Sequence, residues 1–552
     1  MSDAATPSKR QRLDDEPPNH RIQGRLSTAS IDVDYLGFTI DTDPLSKDEH
    51  LARHYIRSYM DYVNTTTFDI FPREQFMKWL VADTSKSNVD RMLIFAMLAV
   101  GSLHSRHKDK VIHRTAFKTI AYQELNAIFD VTTLQAVQTS LLLAYLEYAE
   151  GNYRRSYHVM QRGVGGVRYL RLCIERASAA DESNPYGMTG PTYEECCRRT
   201  FWALFTSDAL KTFISHDMRS LPTDDVFLRL PCASDRFDSG QIPETPFFDP
   251  DLRPLSADQH KVLGNFAYLV QIAHLMSEIR TTAIRHQQTM RLRGSVCSSD
   301  ALRANLEDRL KSWAAQYKQG CEIRGDQNSQ VDPRTATIRH FAAKPGYYAG
   351  HDVMFHYANM ELNRSVFHTK LSDRALSEHA QKARQHAAWT LEKAKELVQL
   401  HDEEDEFQSV PCGPTAGPAV LAAIDIITAA GKLDGVMMNQ SKLMECMYAG
   451  LTLLDQLAPC WESARTAREL AQKRVTMVFS QASNAIMERK VLFYTTGPIG
   501  LNMGQDFDLV YGADRKRYLR ALHANEYHSA KPEEILEIND ELPAWPQRMS
   551  VS

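Results

Sequence analysis

Apolar residues recur along most of this 552-residue chain at the spacing of one buried helical face. Leu51, Tyr55, Ile56, Tyr59 and Val63 form a first stripe, and Ser46 with Glu49 behind it predicts a capping box that opens the helix near Leu45. Met92 to Leu103 is apolar almost throughout, about a dozen residues where a membrane span needs ~20, which predicts a helix buried inside a folded protein. Leu134, Val137, Leu141, Tyr145 and Tyr148 share a face. Gly151-Asn152 then marks a turn, and Tyr157, Met160, Val164 and Val167 continue on a second stripe, so the pair predicts an antiparallel helical hairpin. Phe201, Leu204, Phe205 and Asp208 lie on one further face. A carboxylate on such a stripe requires a cation or several donors, because an unpaired buried charge costs several kcal/mol. Asp208 is therefore expected to hold the fold together, with effector binding or acid chemistry as the alternative.

The C-terminal half repeats the helical pattern over Gln259 to Arg285, Ala301 to Tyr317, Tyr347 to Phe367, Ala375 to Leu400, Gly417 to Leu433 and Ser441 to Lys473. Loops are predicted by composition at Ala177 to Tyr193, Ser234 to Pro254, Gly294 to Asp300 and Gly320 to Arg334. Alternating β-branched runs are scarce. The predicted fold class is all-α, a multi-helix domain of packed antiparallel hairpins joined by long polar loops.

Composition narrows the function. With 43% hydrophobic and 24% charged residues the chain is globular in type, and its net charge of −5 gives no global attraction to nucleic acid, so any basic footprint is local. Nine cysteines, an odd number without repeated spacing, argue against a disulfide framework and for a reducing compartment. The polar N-terminal stretch has no apolar h-region and does not read as a secretory signal. Residues 1–43 read as a disordered leader in which Lys9, Arg10 and Arg12 form a short basic cluster of the kind that serves nuclear import.

The stretch Glu194 to Pro231 carries an arginine pair running into an aromatic helix, then an aspartate, then a loop of small and acidic residues ending in Leu-Pro. These places are held by Arg198, Arg199, Phe201, Trp202, Asp208, Pro222 and Pro231. Phe71, Pro72 and Phe76, the buried run from Met92 to Ser105, and a late passage with Trp461 and Arg465 extend the pattern. It resembles the regulatory, or middle homology, region of fungal transcription factors of the zinc binuclear cluster family, over about residues 45–495. The resemblance implies a nuclear regulator of carbon-use or secondary-metabolite genes, a structural role for the signature residues, and homodimeric or heterodimeric association with a transcription factor. It also implies a coactivator or repressor partner and a small-molecule effector. Most members set a helix into the major groove with six clustered cysteines on two zinc ions. This chain has no cysteine before Cys173, so the zinc ligands are absent here, no cofactor is expected, and direct DNA contact is in doubt.

Other chemistry finds little support. Cys196-Cys197 is expected to be buried thiol, and His104, His107 and His113 are expected at a solvated helix end rather than on a metal. His351-Asp352 and His401-Asp402 would need further ligands converging from other helices to form a phosphohydrolase centre. The Gly163 to Gly166 run follows no strand, which argues against a phosphate loop, and no enzyme activity is expected. The domain reading is a leader at 1–43, a regulatory domain at 44–495 with any subdivision near 234–255, and a C-terminal segment at 496–552. In that last segment Phe507, Leu509, Ile535, Leu536, Leu542 and Trp545 interleave with acidic residues, either as an activating tail or as packing on the body. Two alternatives remain: a helical cofactor that modulates an intact zinc-cluster factor without touching DNA, and a helical enzyme or ligand carrier. No membrane association is expected.

Overall fold

In the computed structural model the residues described are 37–82, 85–175, 184–212, 219–293, 300–324, 345–364, 373–399, 413–429 and 440–479. They are helical almost throughout and contain no strand, only isolated bridges such as Arg229 with Phe247 and Cys232 with Leu263. The all-α expectation therefore holds. The basic cluster Lys9, Arg10 and Arg12, the pair His401-Asp402 and the acidic-apolar residues Phe507, Leu509, Ile535, Leu536, Leu542 and Trp545 lie outside the described residues.

The chain opens with α1 (Pro44–Lys47) and α2 (Glu49–Tyr59). The expected Ser46/Glu49 box does not form. Asp43 caps α1 through the amides of Leu45 and Ser46, and Asp48 caps α2 through Leu51 N at 3.0 Å, because aspartate accepts from N-terminal amides as readily as serine does. The stripe beyond Tyr59 continues as a π-helical run, Met60–Phe68, which widens the turn before Asp69 takes a left-handed backbone. Asn64 closes this run onto the next turn, accepting from Ile70 N and Phe71 N and donating to Phe71 O.

After α3 (Arg73–Val81), the buried run forms α4 (Asn88–Gly101), started by a Ser87/Asp90 capping box. At its end Gly101 meets α2 backbone to backbone: a Cβ there would stand 2.0 Å from Tyr55 O, so no larger residue fits. Beyond α5 (Lys110–Ala127), α6 (Leu134–Ala149) and α7 (Tyr153–Tyr169) form the expected hairpin about Gly151 at φ 78°. Its helices touch through Gly166, where an added Cβ would lie 2.5 Å from Val137. The long α8 (Gly190–Lys211) then crosses the bundle, followed by the short α9 (Ser234–Ser239).

Two long helices expected from sequence are each divided. Residues 259–285 split into α10 (Ala257–Val262) and α11 (Asn265–Arg293), because Leu263 turns extended to pair with Cys232 and Gly264 passes close beneath Ala233. Beyond α12 (Asp300–Ile323), α13 (Pro345–Arg364), α14 (Asp373–Gln399) and α15 (Ala416–Ala429), residues 441–473 split into α16 (Gln440–Leu457) and α17 (Glu462–Phe479). Pro459 lies in that break, where it cannot donate to an α-helical ladder. One buried apolar cluster runs from Phe38 to Val475, with α8 packed on α11, α11 on α13 and α17 against α6.

Candidate functional site

The signature residues on α8 form an ion-pair lattice that ties several parts of the chain together. Arg199, fully buried, donates to Glu195 (Nε to Oε1, 2.8 Å), to both the carbonyl and the carboxylate of Asp69, and to Cys232 O (2.7 Å). Its guanidinium also lies over the Phe237 ring at 4.2 Å. Arg198 pairs with Glu195 on its own helix and with Glu175, whose carboxylate in turn accepts from Arg229 N. Cys232 N completes Glu195 at 3.0 Å. The π-helical run, α8 and the segment from Arg229 to Cys232 are thus held by one set of charges, each with several partners. Burial works to raise the Glu195 carboxyl, yet Arg198, Arg199 and the Cys232 amide outweigh it and hold it below the usual carboxylate range.

The aromatic part packs beside this lattice. Phe201 and Trp202 are fully buried, Trp202 contacts Phe205 and Phe248 at 5.2 Å, and its indole N–H donates to Arg229 O at 2.8 Å. One turn on, Asp208 accepts from Ser220 N (2.7 Å) and Leu221 N (2.9 Å) and pairs with Lys211 (2.7 Å), so this buried carboxylate has a cation and two donors. Pro222 is exposed at the start of the short 3₁₀ turn Thr223–Asp225, whereas Pro231 is buried. Trp461 packs on Tyr145 and Tyr148 from the far end of the chain. Arg465 faces outward against Glu462. Sequence reasoning missed the anionic partners Asp69, Glu175 and Glu195; Glu195 stands at helical spacing from Arg199, and that was the available signal.

The histidines correct one expectation. His104 and His113 are buried, not solvated: His104 stacks on Tyr62, and His113 shares a 2.7 Å hydrogen bond with Tyr55. His113 packs between α2 and α5 as aromatic core, and His104 packs against the π-helical run. His351 is also buried, bonded to Asn265 O at 2.8 Å and stacked on Tyr317, while burial pushes the neighbouring Asp352 carboxyl up to about 6. Among the described residues no group of three or more His, Cys, Asp or Glu could hold a metal ion, and no helix is long and apolar enough to cross a membrane. Cys196 and Cys232 are buried thiols that burial pushes upward.

Burial also keeps four histidines neutral, pushing His104 and His356 down to about 3 and His379 and His386 down to about 4. The unfolded chain takes up these protons near pH 6.5 and the folded one only near 3 to 4, so their contribution is whole above 6.5 and is lost as pH falls through that window. Glu195 adds a loss at lower pH, as its depressed carboxyl is protonated. The melting temperature is expected to fall progressively from about pH 6.5 downward; a flat profile to about pH 4 would show these histidines to be accessible.

A cavity of about 350 Å³ lies where both halves of the chain meet. Thr66 to Phe68, faces of α6, α7 and α8, Leu269 on α11, Gly350, His351 and Met354 on α13, and Gly413 to Thr415 line it. The volume falls within the ~300–1,000 Å³ of small-molecule sites. None of these residues was singled out in the sequence as a cavity wall; Gly350 inside a helical stretch was the one local sign.

Residues 56–315 match the family model described as the Fungal specific transcription factor domain. Comparison with curated proteins and with solved structures gave no match. The matched residues hold the arginine lattice, the aromatic part of α8, Asp208 and most of the cavity wall. On this match and on the signature, residues 56–315 carry the fungal specific transcription factor domain.

Proposed function

We propose that this chain is a nuclear transcriptional regulator of fungal type that controls metabolic genes, of carbon use or secondary metabolism, through a helical domain responsive to an effector or partner. The family match over residues 56–315 supports the reading. The mechanism is a population shift: an effector that binds one packing of the helices better than another exposes or hides a surface for a coactivator or repressor. The cavity supports this reading, because its walls come from the matched domain and from α13 and residues 413–415 after it. The basic cluster Lys9, Arg10 and Arg12 serves nuclear entry in this account.

A second reading is favoured by one observation: residues 1–172 of the sequence contain no cysteine. In that reading it dimerises with an intact zinc-cluster factor and modulates it. Fusing the chain to a heterologous DNA-binding domain upstream of a reporter tests the regulatory role. A change in reporter output of at least about tenfold, against the unfused DNA-binding domain, is expected. An unchanged output in cells that accumulate the folded fusion would sink the regulatory role.

A further inference from the structure

We propose that the cavity of about 350 Å³ is a binding site for a neutral, largely apolar small molecule with one or two hydroxyl or carbonyl groups. The proposal deepens the effector reading above and rests on it for the regulatory consequence of binding. At interior packing density the space accepts on the order of fifteen non-hydrogen atoms. Phe68, Leu141, Met160, Leu269 and Met354 give apolar walls.

Of the two basic residues on the wall, Arg154 is exposed and Lys211 is already neutralised. Lys211 is paired with Asp208 at 2.7 Å and donates to Ser220 Oγ at 2.8 Å, and Asp208 is further held by two amides. An anion or cation entering would lose its hydration beside a pair that is already neutralised. Among the buried hydroxyls of the wall is that of Thr206, on α8 and nearly inaccessible, which no described residue satisfies. A ligand hydroxyl or carbonyl would complete it.

The glycines give an independent sign. Gly350 sits within α13 and Gly413 just before α15, both on the cavity wall, and a Cβ added at either meets nothing within 4 Å. Alanine would favour the α13 helix without a clash, so glycine at 350 keeps volume open at the expense of helix propensity. A bound molecule would touch α6, α7 and α8 on one side and α13 with residues 413–415 on the other, coupling the matched domain to the helices that follow it.

The test titrates the full chain with N-phenyl-naphthylamine, a neutral fluorophore of suitable size, and reads its emission. One saturable, blue-shifted transition is expected. Gly350→Trp and Gly413→Trp are each expected to weaken it at least about tenfold. Gly165→Trp, which points into a different cavity beside Phe129 and Arg162, is expected to leave it unchanged. Circular dichroism verifies folding, and Gly350→Leu serves as the smaller variant should tryptophan disturb α13. No saturable binding by folded wild-type protein, or equal binding in both glycine variants, would overturn the site. The tethered reporter judges the function separately: a silent reporter together with probe binding that depends on Gly350 supports the site and removes the regulatory reading.

Discussion

Replacing Arg199 with alanine is expected to cost about 3 to 5 kcal/mol of folding stability, enough to leave much of the chain unfolded at growth temperature. The guanidinium is fully buried between Asp69 and Glu195 and also satisfies Cys232 O. Without it Asp69 loses its cation, Glu195 keeps Arg198 alone, and the segment at Cys232 loses one of its two ties to α8. Lysine is not expected to rescue, since one ammonium cannot reproduce a fork that reaches two acids and a carbonyl together. Removing Asp69 in the Arg199→Ala background should recover part of the loss, because one orphaned charge goes with it. Urea denaturation followed by circular dichroism measures both. A cost below about 1 kcal/mol would show that the lattice is not what fixes α8.

Trp202→Ala is expected to cost a similar ~3 to 5 kcal/mol by a different route, through the cavity left among Phe201, Phe205 and Phe248. The lost indole N–H also strands Arg229 O, its acceptor at 2.8 Å. Trp202→Phe should recover most of the packing and none of the hydrogen bond. Unchanged stability with altered reporter output would instead make this aromatic face a binding surface. Together the two variants separate the two ways in which the domain holds its middle helix.

Much of the fold was legible in the sequence, for reasons that differ by element. The α6–α7 hairpin could be read because its apolar spacing and the Gly151-Asn152 turn agree, and local and tertiary preferences point the same way. The requirement that Asp208 find a cation and donors followed from its place on an apolar stripe, though Lys211 and the amides of Ser220 and Leu221 could be named only from coordinates. The break at Leu263-Gly264 was not legible, because it arises from a bridge to Cys232, about thirty residues away, and not from local composition. His104 and His113 misled because a polar ring at a helix end reads as solvated until α2 and Tyr62 cover it. The cavity was illegible for a further reason: it is a space between six elements, and periodicity describes faces, not the gaps they leave.

The central claim, a transcriptional regulator, is tested most directly by genome-wide chromatin occupancy of the tagged chain, with a Lys9→Ala, Arg10→Ala, Arg12→Ala variant beside it. The account predicts discrete promoter occupancy near metabolic genes, lost when the basic cluster is removed. Nuclear accumulation without occupancy, or a chain that stays in the cytosol, would contradict it.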